Sequence, residues 1–183
     1  MLSIYISRPI SGRPLSDVFA DFDVRTEELI RMGYRVLSPM ASKDILRQKG
    51  GTEAVPLGYA TPTLVPRAIL RQDLWMMQQA DIVFCDFTGS TAVSVGCCYE
   101  LAWAYLQPAT HTVLVMERGN VHEHAFTVAG ADVIFRDTKE AIAYLRCLTS
   151  SGTEKFWHRP PGQQFNSCHH GVEARHCPLC TEP

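Results

Sequence analysis

The chain has 183 residues, of which 46% are hydrophobic and 20% charged, and its formal net charge is −2. This size and composition predict one compact domain with a substantial core, and the near-neutral charge offers no basic field for a nucleic-acid polymer or an anionic membrane. No apolar run approaches the roughly 20 residues that span a bilayer, and the first residues enter a strand pattern instead of a secretory signal, so we expect a cytoplasmic protein.

The hydrophobic pattern predicts strands and helices that alternate along the chain. A strand at 2–6 precedes a helix at 15–32 that Gly33 ends, and Pro39 closes a second strand at 34–37. The later predicted elements are a helix at 66–79, a strand at 81–86, a helix at 92–107, strands at 111–115 and 132–135, and a helix at 138–148. This alternation predicts a doubly wound α/β domain over 1–149, with a mostly parallel, flavodoxin- or Rossmann-like sheet and helices on both faces.

Residues 40–66 interrupt the alternation with a stretch that contains Gly and Pro. Only 42–48 has a weak helical pattern, and the stretch is longer than connections in compact domains usually are. Long connections of this kind often cover a site, so we expect a lid here.

The last part of the chain, 150–183, has a different composition. A polar segment with Gly and Pro leads into a cluster of four possible metal ligands, namely Cys168, His170, Cys177 and Cys180. Thiolates and imidazole suit tetrahedral zinc, and four protein ligands predict a structural ion in a small zinc-binding tail. His169 or His176 could replace His170, and an unliganded tail or an adventitious disulfide are the alternatives.

A carboxylate interrupts an apolar segment of the helix predicted after the buried strand 81–86. Glu100 lies among small and apolar neighbours, and the first turns of such a helix lie at the carboxyl edge of the sheet, where open α/β folds bind ligands. Glu100 is therefore a candidate nucleophile. Asp73 precedes the same strand and could divide acid and base work with Glu100, although an exposed aspartate is the alternative.

Two segments could bind an anion at this edge. Ser94 and Gly96 lie near the start of the Glu100 helix, where free backbone N–H groups favour phosphate. The segment 7–13 after the first strand adds the hydroxyls of Ser7 and Ser11 and the guanidinium groups of Arg8 and Arg13, with Gly12 between them. Alternatively, these Ser and Gly residues only cap and turn the chain. The sequence has neither a Walker loop nor a GxGxxG motif, which disfavours ATP and dinucleotides.

Several of these segments together resemble a known family. The stretch 72–88, the run Ser94-Val-Gly96 and the run Tyr99-Glu-Leu101 resemble the nucleoside 2-deoxyribosyltransferase superfamily. Within it, the chain looks most like the 2'-deoxynucleoside 5'-monophosphate N-glycosidases. Ile4-Tyr-Ile6 and Ile10-Ser-Gly12 also look like the first strand and loop of that family, so that the resemblance covers about 1–148.

The resemblance implies a role for each matching residue. Glu100 matches the nucleophile that attacks C1' of the sugar, and Asp73 matches a carboxylate that orients the sugar and handles the proton of the leaving base. Tyr5 matches a tyrosine that contacts the nucleophile. Ser94 matches the serine that binds the 5'-phosphate, where the free-nucleoside transferases carry an aspartate. Cleavage of the N-glycosidic bond of a 2'-deoxynucleoside 5'-monophosphate, with no catalytic cofactor, is the implied activity.

Some positions depart from the family pattern. Arg8-Pro9 stands where a small residue followed by Ser or Pro is usual, and Ala102 stands where the family has Gly. The resemblance also implies a homodimer or higher homo-oligomer, in which the segment after the fourth strand completes a neighbouring site. His124 lies in that segment with Asn120 and His122, and surface histidines are the alternative interpretation.

Two other functions remain open at this point. One is base exchange between deoxynucleosides by the same chemistry. The other is a nucleotide-binding sensor without enzymatic activity, whose zinc tail contacts a partner.

Overall fold

The computed structural model describes residues 1–10, 12–41, 43, 46–47 and 62–150. Two of the features predicted from sequence lie outside these residues, namely Ser11 and the four zinc ligands Cys168, His170, Cys177 and Cys180. Most of the expected lid at 40–66 lies outside them as well.

Strands and helices alternate through the described part of the chain. In chain order they are β1 (Ser3–Ser7), α1 (Leu15–Arg31), β2 (Arg35–Leu37), a 3₁₀ turn (Pro62–Leu64), α2 (Pro66–Gln78), β3 (Ile82–Asp86), α3 (Val95–Tyr105), β4 (His111–Val115), α4 (Ala125–Ala129), β5 (Val133–Phe135) and α5 (Thr138–Ser150).

The five strands form one parallel sheet in the order β2-β1-β3-β4-β5. This is the flavodoxin-like order, and the chain reverses its direction of winding between β1 and β3. The predicted α/β fold with a parallel sheet is confirmed. In such folds the crevice at the carboxyl ends of the two strands beside the reversal is where ligands bind.

The central strands are buried on both faces, and their side chains alternate between two apolar clusters. Ile4 and Ile6 of β1 pack with residues of α1 and α5 on one face. Tyr5 packs on the other face with residues of α2 and α3. Because successive strand residues point to opposite faces, Ser7 lies on the same side as Tyr5.

The boundaries differ from the sequence prediction in two places. Helix α3 begins at Val95 instead of 92, because Ser94 caps it with a side-chain hydrogen bond from Cys97 N. The short helix α4 was not predicted, since five residues are too few to show a helical period. The helices among the described residues are all too short or too polar to cross a membrane.

Candidate active site

The site is built around Glu100, which lies in the second turn of α3 at the carboxyl edge of the sheet. The side chain of Ser94 caps this helix by accepting a 3.3 Å hydrogen bond from Cys97 N, which fixes where the helix starts. From this start Glu100 faces the interior and is only 8% exposed. Carboxylates are seldom buried to this extent unless other groups compensate their charge.

Two hydroxyls of β1 hold the carboxylate. Tyr5 Oη donates to Glu100 Oε1 at 2.7 Å, and Ser7 Oγ donates to Glu100 Oε2 at 2.5 Å. Tyr5 and Ser7 are two residues apart on one face of the strand, so that each reaches a different oxygen. This pair of hydrogen bonds fixes the plane of the carboxylate and favours its ionised form.

Burial dominates the ionisation of the two carboxyl groups of the site. It raises the pKa of Glu100 to about 7, although Ser7 and Tyr5 oppose the change, Asp73 adds to it and Lys43 lessens it. Burial likewise raises the pKa of Asp73 to about 6, against the opposing charge of Lys43. The pKa of Tyr5 lies well above its usual value, first because of burial and then because Glu100 is near. Near neutral pH, the two carboxyl groups therefore hold about one proton between them, which lies more often on Glu100 because its pKa is the higher of the two.

A cavity of about 190 Å³ opens beside these groups. Its polar lining brings together residues from both sides of the β1–β3 crevice: Arg8, Lys43, Asp73, Ser94, Gly96 and Glu100. Apolar side chains such as Leu15, Leu64 and Ile69 complete it. Four separate segments thus direct polar groups into one space, as a ligand site requires.

Arg8 lines the cavity, but neighbouring acids partly balance its charge. Its guanidinium lies 3.5 Å from Asp86 and 3.7 Å from Asp21. Arg25 also approaches Asp86, at 3.6 Å. Arg8 Nε is buried without a hydrogen-bond partner among the described residues. The guanidinium is therefore held by ion pairs at one end and has an unused donor at the other.

Three of the predicted anion-binding residues are placed elsewhere. Gly12 adopts a positive φ of 78° in the turn after β1, and Arg13 pairs with Asp21 at 2.5 Å. His124 is exposed and caps α4 by accepting a hydrogen bond from Phe126 N. Within the described part of the chain none of the three lines the cavity.

His122 is buried, so the alternative interpretation of this residue as a surface histidine is wrong. It is 2% exposed, and its Nε2 accepts a 2.7 Å hydrogen bond from Ser94 N. Its Nδ1 lies 3.0 Å from Asn120 Oδ1, and Asn120 in turn donates to Phe87 O at 2.8 Å. Since Nε2 accepts, Nδ1 carries the proton, so the ring is neutral. The segment after β4 thereby fixes the cap of α3 within the same chain.

Three residues of this arrangement were not assigned these roles from the sequence: Ser7, Lys43 and His122. Strand alternation could have indicated Ser7, because it shares a face with Tyr5. Lys43 and His122 lie in loops, and no pattern in the sequence distinguishes them from exposed polar residues.

Among the described residues no group of three or more His, Cys, Asp and Glu side chains could hold a metal ion. The site at the sheet edge offers carboxyl groups, hydroxyls, the ammonium of Lys43 and the guanidinium of Arg8, and these groups can perform nucleophilic and acid–base chemistry.

Comparison with known proteins yields likenesses of structure only. No protein family and no curated protein sequence matches the chain. A solved 2-deoxyribosyltransferase from Bacillus psychrosaccharolyticus is similar over 78% of this chain and 95% of its own, with 18% identity and a TM-score of 0.54. A conserved protein from Enterococcus faecalis V583 is similar over 80% of this chain and 98% of its own, with 12% identity and a TM-score of 0.54. Both likenesses establish the fold.

Proposed function

We propose that the protein cleaves the N-glycosidic bond of a 2'-deoxynucleoside 5'-monophosphate and releases the free base. The observation that carries this proposal is the buried Glu100, which two hydroxyls orient toward a cavity that it shares with Asp73. A carboxylate fixed in this way can attack a sugar carbon, and a second carboxyl group that holds a proton can protonate the leaving group.

The reaction proceeds in two steps. In the first step, a carboxylate oxygen of Glu100 forms a bond to C1' while the N-glycosidic bond breaks. The electron pair of the broken bond leaves with the base, and the base takes a proton from Asp73. Water then attacks C1' and gives its proton to Asp73, and Glu100 departs as a carboxylate. The negative charge of Glu100 also stabilises the oxocarbenium-like transition state of each step.

The 5'-phosphate lies at the start of α3 in this proposal. The first turn of this helix has backbone N–H groups without helical partners and the positive end of the helix dipole. Ser94 and Gly96 line the cavity at this point. Because Ser94 Oγ accepts from Cys97 N, its own O–H remains able to donate to a phosphate oxygen. Arg8 could add its unused Nε donor.

Base exchange between deoxynucleosides is the second candidate. It is favoured by the likeness to the 2-deoxyribosyltransferase of known structure, and it needs the same glycosyl-enzyme intermediate. The two activities differ in whether water or a second base attacks C1', and in whether the 5'-phosphate is required.

We expect a homodimer or a higher homo-oligomer. Several large apolar side chains are exposed on α2, α3 and α4, namely Trp75, Val95, Tyr99 and, at 83%, Phe126. Exposed apolar side chains of this size on a protein of moderate charge favour association with a second copy. Sedimentation of the purified protein measures the resulting mass.

The proposed function is tested by incubating the protein with each common ribo- and deoxyribonucleoside and its 5'-monophosphate, and by measuring free base chromatographically. We expect base only from deoxynucleotides, with Glu100→Ala inactive and the exposed Glu140→Ala as active as the parent. A fully active Glu100→Ala protein excludes the mechanism. Acceleration by a second free base, without need of the phosphate, assigns base exchange instead.

A further inference from the structure

Lys43 is buried at the active-site cavity, although it comes from the segment after β2. It is 7% exposed and lines the same cavity as Asp73 and Glu100. Its backbone is fixed on both sides, since Lys43 N donates to Met40 O at 3.1 Å and Lys43 O accepts from Leu46 N at 2.8 Å. A buried ammonium is costly unless opposite charges face it.

The position of Lys43 is coupled to the helix that carries Asp73. Gln72 Nε2 donates a 3.1 Å hydrogen bond to Ala41 O, two residues before Lys43. Gln72 directly precedes Asp73 in α2. The ammonium and the carboxylate are therefore held on segments that are joined to each other, and their separation is set by the fold.

Charged and titratable groups face Glu100 from every neighbouring element. They are Tyr5 and Arg8 from β1 and its loop, Lys43 from the segment after β2, Asp73 from α2, Cys85 from β3 and Cys97 from α3. Burial keeps the thiols and the phenol neutral near pH 7, because it raises the pKa of Tyr5, Cys85 and Cys97. Of the two cations that line the cavity among the described residues, Arg8 already lies between Asp86 and Asp21. The charge of the other, Lys43, acts on both carboxyl groups.

We propose that Lys43 is a positioning residue whose ammonium keeps the Asp73–Glu100 pair singly ionised at neutral pH, so that the form with Asp73 protonated and Glu100 ionised can attack C1'. This inference rests on the proposed function. It identifies a residue that does not itself contact the reacting atoms and that sets the charge of the groups that do.

The electrostatics of the three groups support this role in both directions. Lys43 lowers the pKa of Asp73 and of Glu100, which burial alone would raise further. In return, the two carboxyl groups raise the pKa of Lys43 against the larger lowering effect of its burial. Removing the ammonium leaves two desolvated carboxyl groups in one cavity without this opposite charge. The pKa of both groups then rises.

The test is a titration of Glu100 in the full-length protein. With carbon-13 in the side-chain carboxyl of glutamate, the NMR signal of Glu100 is identified by its loss in Glu100→Gln. We expect Lys43→Met to raise the apparent pKa of Glu100 by about half a pH unit or more, which is less than the roughly 1–3 units that an opposite charge in close contact causes, because Lys43 has a smaller effect on Glu100 than burial or the two hydroxyls have. Lys43→Arg keeps the positive charge and serves as the matched control, with a pKa close to that of the parent.

Kinetics provide the second measurement. In Lys43→Met the pH profile of base release shifts to higher pH by the same amount as the NMR titration, and kcat at pH 7 falls more than KM changes. An unchanged Glu100 titration in folded Lys43→Met overturns the inference, and Lys43→Gln replaces that variant if it does not fold. A shifted titration in a protein that releases no base supports the role of the ammonium while it refutes the proposed function.

Discussion

Tyr5 Oη donates a buried hydrogen bond of 2.7 Å to Glu100 Oε1, across 95 positions of the chain. This contact joins the middle of β1 to the second turn of α3. A hydrogen bond to an ionised carboxylate away from water is stronger than one between neutral groups. The same bond therefore serves both the packing of the sheet against α3 and the ionisation of Glu100.

Replacement of Tyr5 by Phe removes one donor to Glu100 and leaves the ring in place. Because the hydrogen bond favours the ionised carboxylate, its loss raises the pKa of Glu100 further, and less of the nucleophile is ionised at pH 7. We expect kcat for base release at pH 7 to fall about tenfold or more, as for the loss of roughly 1.5–3 kcal/mol from a hydrogen bond to a charged group. The exposed Tyr105→Phe is the matched control. Equal rates in parent and Tyr5→Phe at pH 7 contradict the role of this bond.

The pH dependence of the parent protein follows from the two carboxyl groups. Below about pH 6 both Asp73 and Glu100 hold protons, and above about pH 7 the pair loses its last proton. The mechanism needs one ionised and one protonated carboxyl group, so base release should be greatest between these values and decline on both sides. A rate that rises steadily to pH 9 would show that no carboxyl proton is needed. The kcat profile with saturating deoxynucleotide is the measurement.

Most of the fold could be predicted from local features of the sequence. The apolar period of α1, the positive φ of 92° at Gly33 after it, and the continuous apolar runs of β3 and β4 each determine one element. The start of α3 was misplaced because residues 92–94 are compatible with helix, and the capping bond of Ser94 decides between the alternatives.

The predictable part of the site is the part that regular elements carry. Ser94 and Glu100 were expected at this site because the first turns of a helix after a parallel strand lie at the carboxyl edge of the sheet, and the family resemblance implied Tyr5 and Asp73 beside them. Lys43 and His122 come from irregular segments, and long-range contacts such as those of Gln72 with Ala41 and of Ser94 with His122 determine where they lie. Such contacts have no local pattern in the sequence.

Replacement of Glu100 by Gln should stabilise the protein above pH 7. Burial raises the pKa of Glu100 from 4.5 to about 7, so the folded chain binds more protons than the unfolded chain between these values. Its unfolding free energy therefore decreases as the pH rises through this window, by on the order of 3 kcal/mol for this group. Gln does not titrate and escapes this loss. Urea unfolding at pH 5 and pH 8 should show an advantage of Glu100→Gln that grows with pH, and an equal difference at both values would contradict the raised pKa.

The tail is expected to bind one zinc ion per chain through Cys168, His170, Cys177 and Cys180, on the basis of ligand type and spacing. Elemental analysis of protein purified without added metal measures the stoichiometry. Cys177→Ser should lower it strongly, whereas Cys147→Ser, a cysteine of α5, should leave it unchanged. A chain without zinc that retains all four ligands would favour the alternative of an unliganded tail. Base release should be the same with and without the ion if its role is structural.

Replacement of Ser94 by Asp should change the activity on nucleotides and on nucleosides in different ways. Aspartate caps a helix as well as serine does, so α3 and the position of Glu100 should persist. Ser94→Ala loses the cap, at a cost of about 1 kcal/mol, and therefore controls for stability.

A carboxylate at this position repels a phosphate at the start of the helix but can accept a hydrogen bond from a free 5'-hydroxyl. We expect kcat/KM for deoxynucleotides to fall by about two orders of magnitude, as for an unfavourable interaction of roughly 3 kcal/mol. Activity on the matching nucleosides should stay constant or rise. If the loss for deoxynucleotides is no larger than in Ser94→Ala, the phosphate does not lie at Ser94, and the specificity of the proposed hydrolase must come from another part of the cavity, which Arg8 also lines.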